Sequence, residues 1–530
     1  SSTAQCSVSV TTPPAPGGGN NGNGGNHPYL LFTDQDLVGI RAKVNDTSTI
    51  NNKYWVAMYA DCTAAESSVL NNVFPGSGFS GSYDQRDMFV DAEKVRNVAI
   101  CAAIANDASM MSAVKTALSR LKNYPFSVFL PDPDNNGSLG DIEDIGVFGF
   151  VIVAMDIAHD AFLETNASDM AARNYVQDLI YRFAELVLDD PHWGNTTNTS
   201  VHRGNKYTHA TAAVYGAGTY LKDYTRYGSG RTPAQLRTTG EQMMKNFLEA
   251  SLDKDGSVYE AYNYVQSVNI PNMYLWVQVL KNYAGTNLFQ YRVIDGKPIL
   301  QKFGEYAMHI SAPDLEHTAG FGDGRDTLGS HIPYIMNAAN YNDGVAMWYW
   351  NEMDRRGVRT MTTTNIRNDY EEDDLIFASL WGKRITEVPP SSAPAGVLEL
   401  FKAYDAPFYG PDRGDYGSGH AMMRTGFANA NDIQLMTKAG EAGAFHGHSD
   451  QGGYILNAFG KRFLTDVFKF TGGYESYGYK YLQSSRAHSG VMACTTDLTT
   501  CEASGYQHYS EPTLNGFNKI ASITQAVSSG

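Results

Sequence analysis

The sequence predicts an α+β protein of more than one domain, with a long helical part followed by an antiparallel β-sheet part. Three observations predict it. Apolar residues recur at helical spacing from about residue 85 to 352, a passage rich in proline and glycine occupies 386 to 418, and beyond it apolar and polar residues alternate in short runs. With 530 residues, 42% of them hydrophobic and 18% charged, the chain can bury more than one core.

Residues 1–28, including PPAPGGGNNGNGGN, are too polar and flexible to fold and read as a linker. Such linkers tether modules in secreted proteins, so an additional module joined through it and an extracellular location, with periplasm or cell surface as variants, are expected. No charged start precedes an apolar core, so any signal peptide is expected to have been removed. The helical domain is expected over 29–385. It opens at HPYLLFTDQDLVGIRAKV, where Thr33 caps a helix carrying Leu37, Ile40 and Val44 at helical spacing. Further helices are expected near 88–106, 109–122, 145–164, 169–188, 206–224, 232–251, 268–284 and 334–352. They can stack as an α-solenoid or close into an incomplete α/α toroid, and the lack of a fixed repeat weighs against the solenoid. A connector at 386–418 leads to a sheet domain at 419–530, with strands in HAMMRTGF, DIQLMTKAG, GYILNAFG and KRFLTDV.

A net charge of −16 argues against nucleic acid as a partner. It also requires that any polyanionic ligand meet a local cluster of Arg, Lys and His inside an acidic exterior. No apolar run is long enough to span a bilayer, since GFVIVAMDIAHDAF is broken by Asp156, His159 and Asp160, so no membrane association is expected. Five cysteines leave at least one unpaired within the chain; Cys62 with Cys101 and Cys494 with Cys501 are the candidate pairs. Sequons at Asn45, Asn136, Asn166, Asn195 and Asn198 are permissive only.

Chemistry concentrates in 444–490, AFHGHSDQGGYILNAFGKRFLTDVFKFTGGYESYGYKYLQSSRAHSG. On a strand, His446 and His448 project from one face. His448, Asp466 and His488 supply two imidazoles and a carboxylate, a set that suits zinc, with manganese and calcium open. The plainer reading makes HGHSD a polar turn and the other two residues caps. In the helical part, HRGNKYTHATAAVYGAG opens a helix with Asn205 and His209 on one face. By residue type alone Asn205 is a cap and His209 a partly exposed surface residue. DKDGSVYEAYNYVQSV follows, and its aromatic residues on a helix are most simply core.

The 444–490 stretch resembles the C-terminal part of the heparinase II/III-like polysaccharide lyases, including alginate lyases of that type. An HxH pair, a glycine-rich strand, an aspartate ending the next strand, a tyrosine-rich loop and a histidine in an RxxH-like element follow in the family's order. The resemblance implies an incomplete α/α toroid followed by an antiparallel, β-sandwich-like sheet domain. It implies a structural zinc on His448, Asp466 and His488, His446 facing the substrate, and no organic cofactor. The family's helix-opening histidine falls on His209; Thr208 stands where asparagine often precedes it, which passes the asparagine role to Asn205. The phrase DG-x-x-x-E-x-x-x-Y makes Glu260 a substrate-binding residue and Tyr264 the catalytic tyrosine, with Tyr259 and Tyr262 close enough in sequence for an alternative register. FGDGRDTL brings Arg325 to a substrate carboxylate, and Tyr474 or Tyr477 supplies a second phenol. The family's sheet domain is usually longer, so the sheet here is either compact or part of a larger one.

The expected function is β-elimination on an acidic polysaccharide, alginate first, to give 4,5-unsaturated uronate ends. That chemistry asks for donors that stabilise enolate-like charge and a tyrosine that moves a proton. The alternatives are a glycosaminoglycan lyase of the heparin or chondroitin kind, an α/α-toroid glycoside hydrolase with two carboxylates across the bond, and a non-catalytic carbohydrate-binding protein.

Overall fold

A computed structural model of the chain describes residues 27–75, 85–124, 142–190, 193–194, 204–258, 260, 262–318, 321–322, 330–356, 371–390, 399–403, 420–427, 429–438 and 453–465. The helices are α1 Asp34–Asn45, α2 Ile50–Asn71, α3 Gln85–Ala105, α4 Ala108–Arg120, α5 Ile142–Ala158, α6 Ala167–Asp189, α7 Asn205–Tyr220, α8 Pro233–Ser251, α9 Tyr262–Ala284, α10 Ile299–Ile310, α11 Ile332–Tyr341, α12 Gly344–Arg356 and α13 Glu371–Trp381. No helix among the described residues is long and apolar enough to cross a membrane.

Local signals set many of the boundaries. Thr33 makes the expected cap as a full capping box with Asp36, and Leu37, Ile40 and Val44 are the buried face of α1. Asp107 and Asn166 cap α4 and α6 without a capping box, each accepting from two main-chain N–H groups of the first turn. The single helix expected over 334–352 is two. Asn342 takes a left-handed conformation (φ 55°), and Asp343 then accepts from the Val345 and Ala346 N–H groups to start α12.

Packing succession runs α3, α5, α7, α9, α11, α13; α13 then packs on α2, and α2 on α3, so the order returns to its start. α4, α6, α8, α10 and α12 flank that series. A single apolar core runs through it, with Trp276 and Trp350 fully buried. Cys62 and Cys101 are disulfide-bonded and tie α2 to α3. Ahead of α1, the Asp156 carboxylate of α5 accepts from His27 at 2.7 Å and from the main-chain N–H groups of Tyr29 and Leu30, holding residues 27–30 onto the helices.

Two short strands, β1 Val293–Ile294 and β2 Lys297–Pro298, form a ribbon before α10. The second part of the chain is an antiparallel sheet in the order β3 Glu399–Ala403, β4 His420–Arg424, β5 Gln434–Lys438, β6 Tyr454–Ala458, β7 Lys461–Leu464. The last four lie inside the expected strands; β3 lies inside the stretch read as connector. Burial alternates along β5, as a sheet with one covered face requires. Phe459 and Gly460, both at positive φ, turn β6 into β7 as a two-residue hairpin. A facing second sheet, expected of a sandwich, is not among the described residues.

The sheet docks on the C-terminal end of α10. The fully buried Arg424 donates to the carbonyls of Met308, His309 and Ser311, and Gln434 Nε2 donates to those of His309 and Ser311. Helix ends leave carbonyls without partners in the helix, and here the sheet supplies their donors.

Candidate functional site

The phrase singled out before α9 is a tight turn followed by a helix start. Gly256 sits at φ +89°, and a Cβ there would lie 2.2 Å from the main-chain carbon of Lys302, so no other residue fits the turn against α10. Leu252 bridges Val258 across it, and Ser257 Oγ donates to Asp253 and Asp255. The turn delivers Glu260 to the interior, where Oε2 accepts from Asn269 at 2.8 Å and the residue is 1% exposed. Glu260 therefore faces the protein in this structure.

The three neighbouring tyrosines are not equivalent. Tyr262 is buried, and burial, then Tyr306, Tyr274 and Asp374, push its hydroxyl well above the usual phenol range. A phenol so placed stays protonated and makes a poor base. Tyr264 is half-buried, which leaves part of it open to a ligand. Tyr259 lies outside the described residues.

His209 stands in the first turns of α7, at 3% exposure. Asn272 of α9 holds it, with Nδ2 2.6 Å from Nδ1 and 2.9 Å from Nε2. Phe89 of α3 meets the ring edge-on at 6.0 Å. Burial lowers its pKa to about 3, so the imidazole is neutral at ordinary pH. The partly exposed surface histidine that residue type suggests is replaced by a buried one. Asn205 opens α7 on the same helix. Asn272 and Tyr264 are eight positions apart on α9, about 12 Å along the axis, so the Asn272 contact with His209 of α7 and Tyr264 lie at two levels along α9.

One end of the sheet meets this region. Tyr262 packs edge-on against Tyr306 of α10 (5.6 Å), and the Tyr306 hydroxyl pairs with His420 Nδ1 at 2.9 Å. His420 opens β4 and stands opposite Lys438, the last residue of β5. Residues 439–452, which carry His446 and His448, depart from that point. The chain of contacts thus brings the start of α9 to the end of the sheet where Lys438 closes β5.

His446, His448, Asp466, His488, Tyr474, Tyr477 and Arg325 lie outside the described residues. Among the described residues no group of three or more His, Cys, Asp or Glu is placed to hold a metal ion. Sequence reasoning missed Asn272, Asn269 and His420. The available signal was the recurrence of Gln266, Asn269 and Asn272 at intervals of three in a largely apolar helix, all three buried.

No family model and no curated protein matches the chain. Solved structures are similar to it in part. A heparinase III matches with a TM-score of 0.46 at 12% identity, over 82% of this chain and 62% of that one. A mutant of heparan sulfate lyase HepC from Pedobacter heparinus matches with 0.42 at 15% identity, over 78% and 55%. A heparinase III with methylated lysines matches with 0.45 at 14%, over 81% and 61%. The chain spans less than two-thirds of each of these proteins. The expected alginate specificity has no counterpart in their names.

Proposed function

We propose that the protein is a polysaccharide lyase that cleaves a uronic-acid-containing polymer by β-elimination. The observation that carries this reading is the convergence of the Tyr264-bearing start of α9 with the end of the sheet from which the His446 segment departs. Junctions of this kind are common ligand sites. The helix succession, alternate helices in series with the others flanking, is the order an α/α toroid has, and it supports the same reading. The Cys62–Cys101 disulfide is in keeping with an oxidising, extracellular setting.

The residues divide the work by chemistry. Tyr264 takes the proton next to the uronate carboxylate or returns one to the leaving oxygen, and Tyr474 or Tyr477 shares that task. His446 hydrogen-bonds the carboxylate, assisted by Arg325, and stabilises the charge that builds on it. His209, neutral and enclosed, contributes a hydrogen bond and no charge. His448, Asp466 and His488 are the donors for a zinc ion, which would pin the segments that carry His446 and the second tyrosine. Metal analysis of the purified protein tests that part: absence of stoichiometric metal, with melting unchanged by a chelator, removes it.

The activity is tested by incubating the protein with heparan sulfate, chondroitin sulfate and alginate while following near-ultraviolet absorbance. Heparan sulfate, for which a similar structure is named, goes first and alginate second. A rise in absorbance with new reducing ends supports the lyase. New reducing ends without absorbance identify a hydrolase, and binding without either identifies a carbohydrate-binding protein; each overturns it.

A further inference from the structure

We propose that Asn272 is a positioning residue for His209, selecting one tautomer and one orientation of its ring. Its kinetic consequence rests on the lyase reading; its spectroscopic one does not.

Three helices enclose the ring. Asn272 of α9 lies within hydrogen-bond distance of both ring nitrogens, while Phe89 of α3 closes one edge. α5 approaches through Gly146, where a Cβ would stand 3.0 Å from His209 Nδ1 and 2.3 Å from Phe89 Cε2. A glycine here makes the room that the imidazole occupies. Among the described residues, the polar partner of the ring is the Asn272 carboxamide.

A neutral imidazole has one N–H and one acceptor nitrogen; the Asn272 atom at the ring is Nδ2, a donor, and it lies nearer Nδ1, which is then the acceptor and leaves the proton on Nε2. The amide can therefore fix which nitrogen carries the proton, but it cannot stabilise a charged ring as a carboxylate would. Aspartate has the shape of asparagine and would do the opposite, holding an imidazolium. Asparagine at this position keeps His209 uncharged and adds no negative charge beside a site proposed for a polyanion. Burial acts in the same sense, and no charged side chain of α3, α5 or α9 among the described residues contributes.

Asn272 is also tied to the rest of the site. It ends the buried stripe Gln266, Asn269, Asn272, whose middle member holds Glu260. Buried amides are costly without partners. The stripe therefore references His209 to the helix that carries Tyr264.

The test uses full-length protein with nitrogen-15-labelled histidine, His209→Gln assigning the signal. Wild type is expected to show one neutral tautomer of His209 from pH 8 to pH 5. Asn272→Ala should mix the tautomers, and Asn272→Asp should bring the ring's titration into that range. If Asn272→Ala fails to fold, the isosteric Asn272→Asp decides alone. Unchanged tautomer and titration in the folded variants overturns the proposal. On whichever polymer the wild type cleaves, Asn272→Ala should lower kcat at least tenfold with KM within twofold, and Asn272→Asp should move the acid limb of kcat upward. Altered tautomers with unaltered kcat overturn the positioning role. An inactive wild type removes the lyase reading and leaves the spectra to decide this one.

Discussion

Tyr264→Phe keeps the ring of a half-buried side chain and removes its ionisable hydroxyl, so the fold is expected to persist while turnover falls about 10²-fold or more. Near-full activity in that variant would move the proton to Tyr259, because the buried Tyr262 hydroxyl is held protonated. Gly146→Ala makes a different demand, since its new methyl must displace Phe89 or the imidazole. The expected loss is about 1–3 kcal/mol in a urea titration; a variant as stable as wild type would show that the three helices yield easily there. His209 and Tyr264 stand out in the sequence as candidates because each sits in a local phrase. Asn272 does not, because its contact with His209 spans 63 positions and only the folded helices bring the two together.

Helices are the elements whose signals are local, and the caps at Thr33, Asp107 and Asn166 act within three residues of themselves. Most of their positions could accordingly be read off the chain. The break at Asn342 was hidden, because apolar spacing continues across it while one left-handed residue changes direction. Short β3 was hidden for another reason: its five residues, ELFKA, lie between two passages rich in proline and glycine that read together as connector. Arg424→Met tests the docking of sheet on helix. Three carbonyls at the end of α10 would lose a charged donor, for an expected cost on the order of 2–3 kcal/mol in chemical denaturation. A change below about 0.5 kcal/mol, the scale of an ordinary surface substitution, would mean that water or another side chain serves those carbonyls equally well.

Over the whole molecule, three histidines, His209 buried and His159 and His309 partly so, set a common response to acid. His159, His209 and His309 are each held by burial at about 3, against an ordinary value of 6.5. Between those values the unfolded chain binds protons that the folded chain does not, so stability is greatest above pH 6.5 and declines as pH falls toward 3. Melting at pH 5 is expected well below melting at pH 7.5; an equal or higher value would contradict the burial of these rings. The disulfide acts at the same scale. Cys62 and Cys101 are 39 positions apart, and Cys62→Ser with Cys101→Ser is expected to cost on the order of 3–4 kcal/mol, read as a lower melting temperature without loss of the helical circular dichroism. The docking of the sheet bears on how such chains can be recombined. Arg424 reaches carbonyls 116 positions away, so a chimera that takes its helices from one parent and its strands from another leaves a helix end bare unless the incoming strand carries an equivalent donor. The viable crossover points are therefore decided by the strand donors Arg424 and Gln434 together rather than by the loop that joins the two parts.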